Sequence, residues 1–232
     1  MKIISIGDLH GKDVWKKINP DNYDKIVFVG DYTDDFPPTT DEQIFSNLID
    51  IINFKKSNFD KVILLFGNHD CSYIYGWKCS GYRPSMQDKL FNLFKDNRAL
   101  FKFAYQIDNY IWTHAGITKF WYEDYLKPII LTYGLENLTI AEQINHLAFT
   151  GKGLEELGRV GHARGGLTYF GGCLWADQRE FDYRTILPGY HQIVGHSKTG
   201  QGAIKKEYNN ASITFIDCLD TKTEFYEIEI KE

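Results

Sequence analysis

Lys25-Ile26-Val27-Phe28-Val29-Gly30-Asp31-Tyr32-Thr33-Asp34 is the stretch on which the fold turns. A run of β-branched and aromatic side chains ends in glycine, and carboxylates follow at once. A continuous apolar run of this length suits a strand buried on both faces. The glycine lets the backbone turn sharply enough to aim the polar side chain behind it. The same design recurs in Lys2 to Gly7, followed by Asp8-Leu9-His10-Gly11, and in Lys61 to Gly67, followed by Asn68-His69-Asp70. Between the second and third runs lies Thr40 to Lys55, where Ile44, Leu48, Ile51 and Ile52 recur at helical spacing. Thr40 with Gln43 has the form of a capping box, just after Pro37-Pro38. Strand, helix, strand in that order predicts parallel strands in an α/β core.

Beyond residue 100 the texture changes. Phe101 to Ile107 and Tyr110 to Thr113 flank Asp108-Asn109, which reads as a hairpin turn. Thr139 to Leu157 reads as helix interrupted by Gly151-Lys152-Gly153, and Gly165 to Gly172 as a glycine-rich loop. Tyr190 to Val194 is another strand ending in glycine, and Ala211 to Ile230 reads as a closing β-hairpin. No linker, repeat or low-complexity segment interrupts the chain. One domain spanning residues 1–232, with two sheets, is the expectation.

Composition bounds the function. The chain has 26 Lys+Arg against 31 Asp+Glu, a formal net charge of −5, which disfavours a long nucleic acid as partner. The 16 Phe, 15 Tyr and 5 Trp supply too much buriable surface for a disordered chain. No apolar run approaches the roughly 20 residues of a membrane span, and Ile3-Ile4-Ser5-Ile6 is too short for a signal-peptide core. Cys71, Cys79, Cys173 and Cys218 show no CxxC spacing, so reduced thiols in a cytoplasmic protein are expected.

The chemistry sits behind the strands. To the three clusters above the sequence adds Thr113-His114-Ala115-Gly116 and Gly195-His196. Parallel strands deliver their carboxyl ends to one edge, where ligands bind in open α/β folds. Asp8, Asp31, Asn68 and the histidines His10, His69, His114 and His196 are thereby brought together. Carboxylate and amide oxygens with imidazole nitrogens are ligands for divalent transition metals. A metal centre is the expectation.

The ordered set D-x-H, G-D-x-x-D, G-N-H-D, H and G-H resembles the calcineurin-like metallophosphoesterase superfamily, from Asp8 to His196. Thr113-His114-Ala115-Gly116, Leu174-Trp175-Ala176-Asp177 and the lone Gly195-His196 are most similar to its phosphoprotein phosphatase (serine/threonine phosphatase) branch. The resemblance implies an α/β/α sandwich of two mixed sheets flanked by helices. It also implies two ions: Asp8 and His10 on the first, Asp31 bridging, and Asn68, His114 and His196 on the second. Two ions ~3.5–4 Å apart share a hydroxide and clamp the phosphoryl oxygens during in-line displacement. His69 is surplus as a ligand in that assignment, which makes it the candidate general acid, with Asp70 orienting its ring.

Two positions depart from the resembled pattern. Phosphoprotein phosphatases carry arginine where this chain has Asp35 and Cys71. Arginine's bidentate fork is a large part of phosphate binding. Arg164, in Ala163-Arg164-Gly165-Gly166, and Arg179 are the candidate replacements, beside Asn68. The leading expectation is a two-metal phosphatase acting on phosphate monoesters, with Mn²⁺ favoured over Fe or Zn²⁺. A dinucleoside polyphosphate hydrolase or phosphodiesterase follows, and a non-catalytic interaction domain of the same fold is the remoter alternative. The substrate partner is accordingly a phosphorylated small molecule, a nucleotide or a phosphoprotein, with no membrane involved.

Overall fold

The computed structural model describes residues 1–231. In its first sheet, β1 (Lys2–Ile6), β2 (Lys25–Phe28), β3 (Val62–Leu65) and β4 (Phe101–Lys102) run parallel. A last strand, β10 (Tyr226–Glu229), pairs antiparallel with β1, giving the order β10-β1-β2-β3-β4. The second sheet contains β5 (Ala104–Ile107), β6 (Tyr110–Thr113), β7 (His191–Val194), β8 (Ile204–Tyr208) and β9 (Ala211–Phe215). Its order is β5-β6-β7-β9-β8, with β6, β7 and β9 parallel and both edges antiparallel.

Both faces of the first sheet are covered, as its unbroken apolar runs require. Ile3, Val27, Val29, Ile63 and Leu65 face the second sheet and pack with Trp112, Ile193 and Ile216. Their neighbours Ile4, Ile6, Ile26, Phe28, Val62 and Leu64 face outward against helices. That period-2 split is the pleat of a strand read twice. Each fully buried side chain of this size contributes about 1.5–3 kcal/mol. A polar tie crosses the inter-sheet layer, where Trp112 Nε1 donates to Ser5 Oγ at 2.9 Å.

The outer layer is built by α1 (Asp41–Ser57), α2 (Asn68–Tyr75) and α3 (Gln87–Asp96). The capping box holds: Gln43 N donates to Thr40 Oγ1, and Thr40 N to Gln43 Oε1. Ile44, Leu48, Ile51 and Ile52 are all buried on one face of α1. Later in the chain, α4 (Lys119–Trp121) passes through a π turn (Tyr122–Leu126) into α5 (Lys127–Tyr133). The glycine-interrupted segment is α6 (Ile140–Thr150) followed by α7 (Leu154–Leu157). Asn145 of α6 is bonded to Phe103 N, Ala104 N and Ala104 O, fixing that helix over β5.

Two expectations need correcting. Phe101 to Ile107 is not one strand: the chain leaves the first sheet after Lys102 and enters the second at Ala104. Ala211 to Ile230 is not a hairpin either. β9 pairs with β8 across Asn209-Asn210, whereas β10 crosses to the other sheet. Asn209 adopts φ 36°, the left-handed turn geometry that asparagine tolerates. In β10, Glu227 and Glu229 alternate outward, the charged pattern of an edge strand.

Candidate metal centre

Four of the five polar clusters line one cleft, and the fifth, at His114, is buried directly against Asp31 and Asn68. Asp8, His10, Asp31, Asn68, His69, Arg164, Trp175 and His196 line the cleft, and the enclosed space is about 560 Å³. Three clusters come from the first sheet and two from the second, so the cleft lies where the two sheets' carboxyl ends meet. His10, Asp31, Asp34 and His196 all have positive φ, between 46° and 63°. Non-glycine residues in this region are strained, and such strain concentrates at functional sites. Glycines provide the close approach: a Cβ at Gly195 would overlap Asp8 Oδ1, and one at Gly67 would overlap Asp31 Oδ1.

Each candidate ligand is oriented from behind. Asp8 is 2% exposed, and its two oxygens accept from His196 N at 3.1 and 3.0 Å. His10 Nδ1 donates to the carbonyls of Thr33 and Asp34 at 2.9 and 2.7 Å. His114 Nδ1 donates to the Val29 carbonyl at 2.9 Å. A carbonyl only accepts, so both rings donate through Nδ1 and turn Nε2 forward, the atom through which each would bind a metal. His114 Nε2 lies 2.8 Å from Asn68 Oδ1, 3.3 Å from Asp31 Oδ2 and 3.2 Å from His196 Nδ1. His196 Nε2 is buried without any partner.

Three further groups at the cleft were not assigned from sequence. Asp217, just beyond β9, lines the same cleft at 4% exposure. No glycine announces it, so the strand-glycine-acid pattern misses it. Asp34 is the ring partner of His69, whose Nδ1 donates to Asp34 Oδ2 at 3.1 Å. Cys79 lines the cleft beside them.

Asp70 therefore does not orient His69, and that expectation is corrected. Its carboxylate accepts from the backbone N–H groups of Asp31, Tyr32, Thr33 and Gly67, and from Thr33 Oγ1. It ties the second motif to the third. Arg179 is corrected as well: it is absent from the cleft lining, its side chain is 67% exposed, and it bonds to Asp177 and the Ala163 carbonyl. Arg164 does line the cleft. Its Nε pairs with Asp177 Oδ2 at 2.7 Å, and its Nη2 donates to His196 O and Ser197 Oγ. Cys71 is fully buried in the core, and Asp35 bonds to its own loop at Phe36 N and Thr39 Oγ1.

The charges fit cations. Burial, then Asp217, push the Asp8 carboxyl well above the ordinary range, and burial raises Asp217 too. Burial also disfavours the Asp31 carboxylate, but His114 and His69 outweigh it and hold that carboxyl low. Burial disfavours the His69 cation, yet Asp31 and Asp34 lift its pKa to about 12. His114 is likewise raised to about 9, chiefly by Asp31 acting against burial. Burial and then His114 drive His196 well below its usual value, so it is neutral, as a ligand must be. Buried carboxylates this close together require protons or metal cations between them. His10, Asp31 and His69 offer donor atoms within 4.8 Å of one another, as do Asp31, His114 and His196. Asp31 belongs to both groups.

A two-sheet α/β sandwich carrying such a donor set at its strand ends defines a metal-dependent hydrolase. Comparison makes the class specific: the model of the calcineurin-like phosphoesterase family matches residues 1–199. The chain belongs to that family, metal-dependent enzymes that hydrolyse phosphoester bonds. A cold-active protein-tyrosine phosphatase from a psychrophilic Shewanella superposes with a TM-score of 0.63 at 16% identity, covering 98% of this chain and 75% of that one. A protein serine/threonine phosphatase from Saccharomyces cerevisiae gives 0.52 at 15% identity, covering 93% of this chain and 66% of that one. At such identities the likeness establishes the fold alone. No curated protein sequence matches the chain significantly. Among the described residues no helix is long and apolar enough to cross a membrane.

Proposed function

We propose that the protein is a two-metal phosphatase acting on phosphate monoesters, with residues 1–232 forming one catalytic unit. The observation that carries this reading is the His69–Asp34 pair, whose histidine lines the cleft that holds the ligand set. Asp8 and His10 would hold one ion, Asp31 both, and Asn68, His114 and His196 the other. When bound, the ions supply a water ionised near neutral pH and Lewis-acid stabilisation of the phosphoryl oxygens. Mn²⁺ is the proposed native metal. The oxygen and nitrogen donors also accept Fe or Zn²⁺, so availability decides.

The chain's own residues do the rest. His69, whose Nδ1 is paired with Asp34, gives its proton to the leaving oxygen. Asp34 fixes the ring so that the proton is presented in one direction. Arg164, braced by Asp177, offers its guanidinium to the phosphoryl oxygen that faces protein. Trp175 stands against His196, ring centroids 5.7 Å apart, and shields that side from water. The four cysteines are unpaired, which supports a cytoplasmic setting.

One observation favours a dinucleoside polyphosphate as the second reading. A hollow adjoining the cleft is lined by Phe36, which is 65% exposed, and by Lys198. A base could stack on the first and a further phosphate could reach the second. The test is a rate comparison on Mn²⁺-loaded protein with phosphopeptides, an aryl phosphate and diadenosine polyphosphates. Faster turnover of the monoesters is expected. Turnover of the diadenosine compounds alone would replace the monoester reading, and no turnover of any would leave a non-catalytic domain.

A further inference from the structure

Cys79 lies outside every motif read from the sequence, yet it stands at the cleft beside the proton donor. Its Sγ, a ring nitrogen of His69 and a carboxylate oxygen of Asp34 all fall within 4.8 Å of one another. A tetrahedral ion bound by thiolate, imidazole and carboxylate at ~2.0–2.3 Å needs its donors roughly 3.3–3.6 Å apart. His69 Nδ1 and Asp34 Oδ2 are already 3.1 Å apart. Small side-chain rotations close the remaining gap.

We infer that Asp34, His69 and Cys79 form a third cation site, selective for Zn²⁺, whose occupation inhibits the enzyme by removing His69 as proton donor. The inhibitory half of this rests on the phosphatase reading above, and the binding half does not. Selectivity follows from donor type. The proposed catalytic pair draws on oxygen and nitrogen, whereas this cluster adds sulfur, which favours Zn²⁺ over Mn²⁺. The other parts are in place. The Tyr73 hydroxyl donates to the second Asp34 oxygen and fixes that carboxylate. Ser72 Oγ, which donates to the Trp77 carbonyl, lies 2.9 Å from Cys79 Sγ and holds that side chain in place. Only Asp34 of the three ligands is fully buried, so the ion enters from the cleft.

His69 stands on the boundary between two clusters, since it also groups with His10 and Asp31. Binding at the third site displaces the Cys79 thiol proton and any proton on the coordinating ring nitrogen, and nothing is oxidised. With Nδ1 bound to metal in place of a proton, the ring is no longer an imidazolium braced by Asp34, and its remaining Nε2 proton could leave only to form a metal-bound imidazolate, so His69 becomes a far poorer donor to an alkoxide.

The experiment has two arms, both on full-length protein. In the first, Co²⁺ is added to Mn²⁺-saturated protein and the near-ultraviolet thiolate charge-transfer absorption is recorded for wild type, Cys79→Ser and Cys79→Ala. Cys71, Cys173 and Cys218 are buried, so such a band reports Cys79. A band in wild type that both variants lack is expected, and no band in wild type would overturn the site. In the second arm, the ratio of rates without and with micromolar Zn²⁺ is measured on an alkyl phosphate. A ratio of roughly tenfold or more in wild type, collapsing toward one in either variant, is expected. Equal ratios in all three proteins would overturn the inhibition. A cobalt band in a protein without phosphatase activity would instead refute the functional reading and keep the site.

Discussion

The two halves of the cleft are secured in different ways. On the first-sheet side, the loops after β1, β2 and β3 are one hydrogen-bonded unit. The Asp31 carbonyl accepts from Leu9 N and His10 N, and Asp70 gathers four backbone N–H groups from two loops. On the second-sheet side, His114 and His196 sit on two loops joined where Gly195 N donates to the His114 carbonyl, and the wall around them is a long loop. That loop has its own backbone turns, but its side chains at the cleft are held by ion pairs, with Arg164 and Arg179 both on Asp177 and Arg159 on Glu156 further back. Backbone-held side chains are fixed before any ligand arrives, while ion-paired side chains can trade partners. On the proposed reading, proton donation falls to the first half, and the second half adds the grip on substrate to its two metal ligands.

Substitutions can break that contrast, beginning with the most severe. Asp31→Asn is expected to lower kcat by more than roughly 10⁴-fold, because several kcal/mol of Lewis-acid stabilisation from both ions depend on it. Near-normal turnover would remove Asp31 from its bridging place. His69→Asn is expected to slow hydrolysis of alkyl phosphates by roughly 10²–10⁴-fold with both metals retained. The loss with nitrophenyl phosphate should be smaller, since that leaving group needs little protonation. Equal losses for the two esters, measured beside metal content, would contradict the acid role.

Asp70→Asn turns an amide N–H₂ toward backbone donors. It should weaken metal binding roughly 10–100-fold and cost about 1–3 kcal/mol of stability. Titration with Mn²⁺ and a denaturant melt read both, and wild-type values would show that the first half does not depend on its backbone ties. On the other side, Arg164→Ala should reduce kcat/KM by about 1.5–3 kcal/mol with metal content unchanged, and Arg164→Lys should recover only part. An unchanged kcat/KM would take substrate grip away from the second half. Arg179→Ala should be the mildest, within about 1 kcal/mol in stability and without effect on kcat/KM, as for an exposed ion pair. A loss matching that of Arg164→Ala would restore Arg179 to the phosphate.

The same contrast explains what the sequence reveals. Strands β1 to β3 and helix α1 are legible because apolar runs, glycines and a capping box mark them locally. The move between sheets at Phe103 is not, since Phe101-Lys102-Phe103-Ala104-Tyr105 carries no turn residue. β10 is misread for a related reason: its partner β1 lies more than 200 residues away, and no local pattern encodes that pairing. At the site, Asp70 is adjacent to His69 in sequence but not in direction. Consecutive helical residues point ~100° apart, so Asp70 turns back over Gly67 while Asp34 reaches His69 from another loop. The arginines differ only in how far the loop carries them, which spacing does not show.

Anomalous diffraction from crystals grown with Mn²⁺ tests the central claim most directly. Two manganese peaks are expected, roughly 3.5–4 Å apart, with Asp31 between them and His10 and His114 on opposite sides. A single peak, or two peaks that Asp31 does not join, would contradict the account.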